Sequence, residues 1–339
     1  MNIVLIGAGN VATHLGQALA RADHRILQVY SRTEASAAAL AEKLNAIYAE
    51  EASDVKSDAR SNAACAEEAS DVKSDARSNA ACAEEASDVN HVKGVKGKNG
   101  TSNKISPTQP NTCKWSTTLT NIDPTADLYL VMLKDSILSD ILPELVKSNP
   151  QALFVHTAGS VPMNIWEGLT TRYGVLYPMQ TFSKARAVDF SHVHFFIEAN
   201  TSNDVEILKD LAKGISDYVV EASSEQRKYL HLSAVFACNF TNHMYAICDE
   251  LLTAHGLPFS SMVPLIDETA RKVHHLNPKE AQTGPAQRND TNVMLKQETL
   301  LKEDEQLNDP AIAELYRLIS QHIVKYQQDL DKASDERSK

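Results

Sequence analysis

The feature that most constrains this chain is its opening stretch, "NIVLIGAGNVATHL", where an unbroken apolar run meets two glycines and then a helical pattern. An apolar run without alternation suits a strand buried on both faces, and such strands belong to parallel sheets covered by helices on each side. The pattern continues in kind. Residues 11–21 read as a helix, "RILQVYS" as a second strand, "EASAAALAEKL" as a second helix, and residues 46–48 as a short third strand.

At Glu50 the alternation breaks. "EEASDVKSDARSNAACA" fills residues 50–66, repeats letter for letter at 67–83 and restarts at Glu84. The 17-residue spacing matches no common solenoid period, and the unit holds almost no large apolar side chain from which to build a core. The "KGVKGKNGTSNK" that follows lacks the Gly-Lys-Ser/Thr ending of a phosphate-binding P-loop. Residues 50–116 are therefore expected to be a solvated, partly disordered insertion with some transient helix, an inert duplication rather than a functional arm. It would replace a short connection after the third strand.

Order resumes near Thr117. "ADLYLVML" is another doubly buried strand, "SILSDILPELVKS" a helix, and "ALFVHTAGS", "YGVLYPMQTF", "HVHFFIEA" and "SDYVVEA" are further strands. Beyond Ser223 only helical patterns follow: one long helix over 224–255, then 260–275, 291–302 and 310–328. The expected fold is α/β, a doubly wound, mostly parallel Rossmann-type sheet, followed by an all-helical C-terminal domain. Residues 1–223 would form the first domain, 224–330 the second, and 331–339 a flexible tail.

Composition narrows the function. A formal charge of −11 argues against nucleic acid, and no apolar run reaches membrane-spanning length. Five cysteines without metal spacing suit free thiols in a reducing cytosol. The strand starting at Asn2 leaves no room for a cleavable leader, so a cytoplasmic protein is expected.

Gly7-Ala8-Gly9-Asn10-Val11-Ala12 fits G-x-G-x-x-G/A between a strand and a helix. Gly7 permits the tight turn, Gly9 lets backbone approach a pyrophosphate, and the amides opening the helix, from Asn10 and Val11 onward, offer it partial positive charge. An NAD site usually carries an acid at the end of the second strand, where this chain has Ser31-Arg32-Thr33. Arg32 can pair with a 2′-phosphate while Ser31 and Thr33 add hydroxyls, so NADP(H) is the expected cofactor. Leu133 and Lys134, closing the "ADLYLVML" segment, complete the cofactor set.

For the chemistry, the long helix carries "RKYLHLSAVFACNFTNHMY". At 100° per residue Arg227, His231, Cys238 and Asn242 share a sector, with Asn239 at its flank. His231 could protonate a substrate oxygen while Asn239 or Asn242 orients it, or these could be satisfied core groups. In "AQTGPAQRND", Arg288 suits a substrate carboxylate or phosphate, Thr283 is a further candidate, and Asp290 is placed to cap the next helix. Thr157 and Ser160 of "HTAGS", with Gln180 and Thr181 of "YPMQTF", lie near strand carboxyl ends, where the substrate side should be. His192 and His194 share a strand face without a third metal ligand, His274-His275 suits a helix end, and no nucleophile elbow is present.

Together "GAGNVATHL", "SRT", "DLYLVMLKD", "HTAGS", "YPMQTFSK", "LHLSAVFACNFTNHMY" and "TGPAQRND" resemble the Rossmann-like oxidoreductase family with the domain of unknown function 2520. That family is similar in architecture to the β-hydroxyacid and 6-phosphogluconate dehydrogenases. The resemblance spans all but residues 50–116. It implies NADP binding, reduction of a small carbonyl or imine such as the 2-oxo acid ketopantoate, and a homodimer through the helical domain. Those dehydrogenases carry a catalytic lysine four residues before an asparagine; if Asn239 is that asparagine, Val235 stands in the lysine's place. His231, one turn earlier, is then the substitute donor. A non-catalytic NADP(H) sensor and a deazaflavin-linked reductase are the competing expectations.

Overall fold

In the computed structural model, residues 1–71, 112–307 and 309–337 are described, with side chains of residues 54–71, 334, 335 and 337 left aside. Most of the 50–116 insertion, including most of the second repeat, lies outside the described residues. The chain divides into two compact units, Met1–Leu232 and Ser233–Lys339.

The first unit is built on an eight-stranded sheet of order β3-β2-β1-β4-β5-β6-β7-β8. Its strands are β1 (Asn2–Ile6), β2 (Arg25–Tyr30), β3 (Lys114–Ser116), β4 (Leu128–Val131), β5 (Leu153–His156), β6 (Tyr173–Met179), β7 (His194–Ala199) and β8 (Val219–Glu221). The pairings from β3 through β6 are parallel, β7 runs antiparallel to β6, and β8 parallels β7. The unbroken apolar strands are explained by two cores. Ile3, Leu5, Leu128, Leu130, Leu153 and Val155 point to one, under α1 (Asn10–Arg21), α2 (Glu34–Asp71) and α4 (Ser202–Lys213). Their alternates Val4, Ile6, Tyr129, Val131 and Phe154 point to the other, with Trp166 and the apolar side of α3 (Leu138–Leu145). Strand alternation thus survives, but with an apolar layer on each side. A smaller third cluster, Val175, Tyr177, Phe196 and Ala222, is met by Leu230 of α5 (Ser224–Ala234).

Several sequence expectations need correction. Residues 46–48 are not a strand: Ile47 and Tyr48 are buried on α2, and the third strand is Lys114–Ser116, inside the segment expected as insertion. The repeats therefore precede β3 rather than follow it. Asn45 explains how β3 finds its place: its amide pairs with the backbone of Cys113 in both directions, at 3.1 Å and 2.6 Å. Helix α4 went unpredicted. Thr201 caps it by accepting from the Asp204 amide at 3.1 Å, and the buried Asp204 carboxylate receives the Arg172 guanidinium.

In the second unit, the long helix expected over 224–255 is interrupted. Residues Val235–Phe240 wind as a π-helix before α6 (Thr241–Ala254), and the Thr241 hydroxyl donates to the Phe236 carbonyl five residues back. Then come α7 (Val263–Lys272), α8 (Thr291–Glu303) and α9 (Pro310–Arg337), which carries residues 331–337, expected as a tail, in helix. The unit is all-helical, as expected, but poorly filled. Among its described residues only Ala286, Ile312 and Ala313 are buried hydrophobics, while Leu265, Leu295 and Leu300 are each more than 60% exposed. Among the described residues no helix is long and apolar enough to cross a membrane.

Candidate active site

The strand order reverses between β1 and β4, and the loops leaving the carboxyl ends of β1, β4, β5 and β6 gather along one edge of the sheet. Ligands of doubly wound sheets bind at such an edge. At the β1–α1 turn, Gly7 adopts φ +129° and gives its amide to the Tyr30 carbonyl at 2.8 Å. A Cβ there would lie 2.4 Å from the Met132 carbonyl oxygen, so no other residue fits. Gly9 is different in kind. A Cβ would meet nothing within 4 Å, and Gly9 caps α1 without any side-chain hydrogen bond. The helix thus opens with uncapped amides beside empty space, the donor set that suits a dinucleotide phosphate.

Asn10 is used otherwise than expected. Its amide nitrogen donates to the Phe182 carbonyl at 2.8 Å, while His14, one turn on, contacts the Ser183 carbonyl at 2.8 Å and stacks on Phe182. These contacts hold the loop after β6 against α1. Val11 packs on the core. After β2, Ser31 accepts from the Thr33 amide at 3.3 Å, the Thr33 carbonyl opens α2, and Arg32 is exposed. After β4, Leu133 packs against the second core and Lys134 is exposed.

The loop after β5 carries a tightly packed glycine. Gly159 is buried, and a Cβ on it would sit 2.7 Å from His231 Nδ1 and 2.8 Å from Tyr177 Cζ. Tyr177 Oη and His231 Nδ1 are 3.1 Å apart and share a hydrogen bond, their rings edge to face. A strand tyrosine, a helix histidine and a glycine with no room to spare thus meet at one point. One imidazole nitrogen is fixed by a phenol, which leaves Nε2 as the nitrogen for proton exchange. Sequence reasoning names His231 as a candidate but not its partner Tyr177, which reads as one more core residue of an apolar strand.

At the end of β5 stands His156, fully buried, whose Nδ1 accepts from the Ala158 amide at 3.2 Å. Burial, helped by the nearby Arg227 charge, pushes its pKa down to about 3. The Ser160 hydroxyl donates to the Asp135 carboxylate, tying the loops after β4 and β5 together. The Gln180 side-chain oxygen accepts from the Thr181 amide at 2.8 Å, and Thr157 is half-buried. Ser160, Gln180 and Thr181, expected to face substrate, thus already have protein partners.

The remaining candidates belong to the helical unit. Asn239, in the π-helix, and Asn242, just after it, are exposed. The even 100° spacing that grouped Cys238 and Asn242 with His231 does not hold through π winding. Thr283 borders a groove of about 340 Å³ lined by Met244, Leu251, Leu301 and Ile319. Asp290 caps α8, accepting from the Val293 amide at 3.2 Å, and Arg288 is exposed. His194 stacks on Tyr218 with centroids 4.5 Å apart. Among the described residues no group of three His, Cys, Asp or Glu side chains could hold a metal.

Comparison with known proteins places the chain in a family. Residues 2–89 match the family described as "NADP oxidoreductase coenzyme F420-dependent", and residues 193–323 match the domain of unknown function 2520. No curated protein matches significantly. The chain is similar to a "putative NADP oxidoreductase" from Bacteroides fragilis, with 44% identity over 96% of this chain and 98% of that one, at a TM-score of 0.72. It shares its fold with a Thermotoga maritima protein (16% identity, 97% and 99% covered, TM-score 0.58). An imine reductase from Myxococcus stipitatus in complex with NADP+ shares it too (11% identity, 96% and 94% covered, TM-score 0.55). From its turn, its sheet and its relatives, the chain belongs to the family of Rossmann-type NADP oxidoreductases carrying the domain of unknown function 2520.

Proposed function

We propose that this chain is an NADP(H)-dependent oxidoreductase that reduces a small anionic carbonyl or imine compound, a 2-oxo acid such as ketopantoate being one candidate. The observation that carries the reading is the Tyr177–His231 hydrogen bond at the carboxyl edge of the sheet, on a glycine that leaves it no slack. The family and the name of the 44% identical relative support the cofactor. The Gly9 opening and the uncapped amides of α1 suit its pyrophosphate, and Arg32 suits its 2′-phosphate.

NADPH, when bound, supplies the hydride. In its doubly protonated form His231 gives its Nε2 proton to the substrate oxygen or nitrogen and is left neutral, while Tyr177 fixes the ring through Nδ1. Arg288 for the substrate anion, and Asn239 and Asn242 for its polar atom, enter on side-chain chemistry alone. A homodimer in the cytoplasm belongs to the same reading; the exposed Leu265, Leu295 and Leu300 of a sparsely filled helical unit support association.

The test measures NADPH and NADH oxidation across 2-oxo acids and cyclic imines, with a deazaflavin as alternative hydride partner because the N-terminal family match names one. His231→Ala should lower turnover about a hundredfold or more, the usual size of a general acid's contribution. Arg288→Ala should instead raise the substrate KM. Arg32→Glu should weaken NADPH about tenfold or more and leave NADH nearly unchanged; equal losses remove Arg32 from the 2′-phosphate site. Tight NADPH binding with no turnover on any arm would favour the sensor instead.

A further inference from the structure

We propose that Arg227 is the positioning residue of the Tyr177–His231 pair: its buried guanidinium fixes the start of α5 against the loop after β5 and so sets where the imidazole stands. This rests on the reading of His231 as proton donor.

Arg227 precedes His231 by one helical turn and is 1% exposed. A guanidinium so deeply buried is costly unless its fork is engaged. Here Nη1 donates to Glu198 Oε2 at 2.7 Å, and Nη2 donates to the Val161 carbonyl at 2.7 Å and to Ser224 Oγ at 3.1 Å. The Ser224 hydroxyl in turn donates to Glu198 Oε2 at 2.7 Å and accepts from the Met163 amide at 2.8 Å. Three segments distant in sequence therefore converge on one side chain: β7 through Glu198, the loop after β5 through Val161 and Met163, and the first turn of α5.

Those segments also frame the pair. Glu198 faces Val175 across the β6–β7 register, two residues from Tyr177 on the same strand. Val161 is two residues from Gly159, on which both rings rest. His231 is carried by the helix that Arg227 anchors. The contact tolerates little error, since Oη and Nδ1 are 3.1 Å apart and Gly159 has no space for one more carbon. A planar fork fixes direction as well as distance, which an ammonium does not. Anchorage alone would not demand it, because apolar packing usually serves a buried site as well as an ion pair.

Histidine NMR on the full chain, with ring nitrogens labelled, reads the pair without substrate. His231 is assigned through His231→Gln, and Tyr177→Phe defines the signal of the released ring. The native chain should show a single His231 tautomer. Arg227→Lys, which keeps the charge and loses the fork, should give the averaged signal of Tyr177→Phe while NADPH affinity stays within about threefold of native. A native His231 signal in Arg227→Lys that still binds NADPH overturns the proposal. If that variant no longer binds NADPH, Glu198→Gln decides: an averaged signal supports the proposal and a native one overturns it. Once a substrate is known, Arg227→Lys should lower kcat about tenfold with the NADPH KM unchanged; an unchanged kcat overturns the proposal. If the NMR change appears but His231→Ala turns over normally, Arg227 still positions the pair and only the proton-donor reading falls.

Discussion

Gly159 separates a cofactor defect from a chemical one. An added methyl would strike the His231 ring and the Tyr177 ring together, and neither can leave without breaking their hydrogen bond. Gly159→Ala should therefore bind NADPH within about threefold of native while losing turnover about tenfold or more. Parallel losses in the two assays would mean that the loop serves the cofactor instead. His156 makes a second prediction at this scale. The folded ring stays neutral down to a pKa of about 3, whereas the unfolded ring takes a proton below about 6.5. Folding stability should thus fall as pH drops from about 6 to 4, by up to about 1.4 kcal/mol per unit from this group. His156→Asn should flatten that acid limb in urea melts, and an unchanged slope would show that His156 does titrate in the folded protein. Sequence spacing made the Gly7–Gly9 turn readable and put His231 forward as a candidate, because turn chemistry and side-chain chemistry are local. The partners of Tyr177 and Arg227 were not readable: one lies in an apolar strand, the other beside a lysine as a surface arginine would, and only packing reveals what they bond.

Elements were readable where period and apolarity agree. The strands with four fully buried residues, β1, β4 and β5, stand out in the sequence, and so do α1 and α3. Helix α4 does not, because its first turn is polar and only Asp204, Leu208, Leu211 and Ala212 are buried. Its signal was the cap: Thr201 accepts from the Asp204 amide while its hydroxyl donates to the Asp204 carboxylate at 2.8 Å. Thr201→Ala should cost about 1 kcal/mol of stability, the usual worth of such a cap, and leave NADPH affinity untouched. A loss below a few tenths would mean that the Arg172–Asp204 ion pair alone holds the helix start. The π-helix was hidden for another reason: "VFACNF" has no residue that forbids α winding, so one extra residue per turn leaves no trace in composition.

At the scale of the whole molecule, the repeat hid the order of the sheet. β3 holds three residues, only one of them buried, and without its pairing to β2 nothing marks it as a strand. The apolar Ile47 and Tyr48 offered a better-looking substitute in the expected place. Replacing residues 54–110 by a short Gly-Ser linker should keep NADPH binding and thermal stability near native, whereas a deletion extended through Ser116 should lose both. Equal damage from the two deletions would show that the repeats themselves support the fold. The Asn45–Cys113 clasp is the reason to expect a difference. It ties Cys113, just before β3, to α2, so the register of β3 should not depend on how much chain lies between. A tract copied in whole 17-residue units stays in reading frame, and we propose that behind such a clasp the number of copies can change without disturbing the sheet. Close relatives should accordingly differ in length at this one place by multiples of the repeat, and superimpose elsewhere.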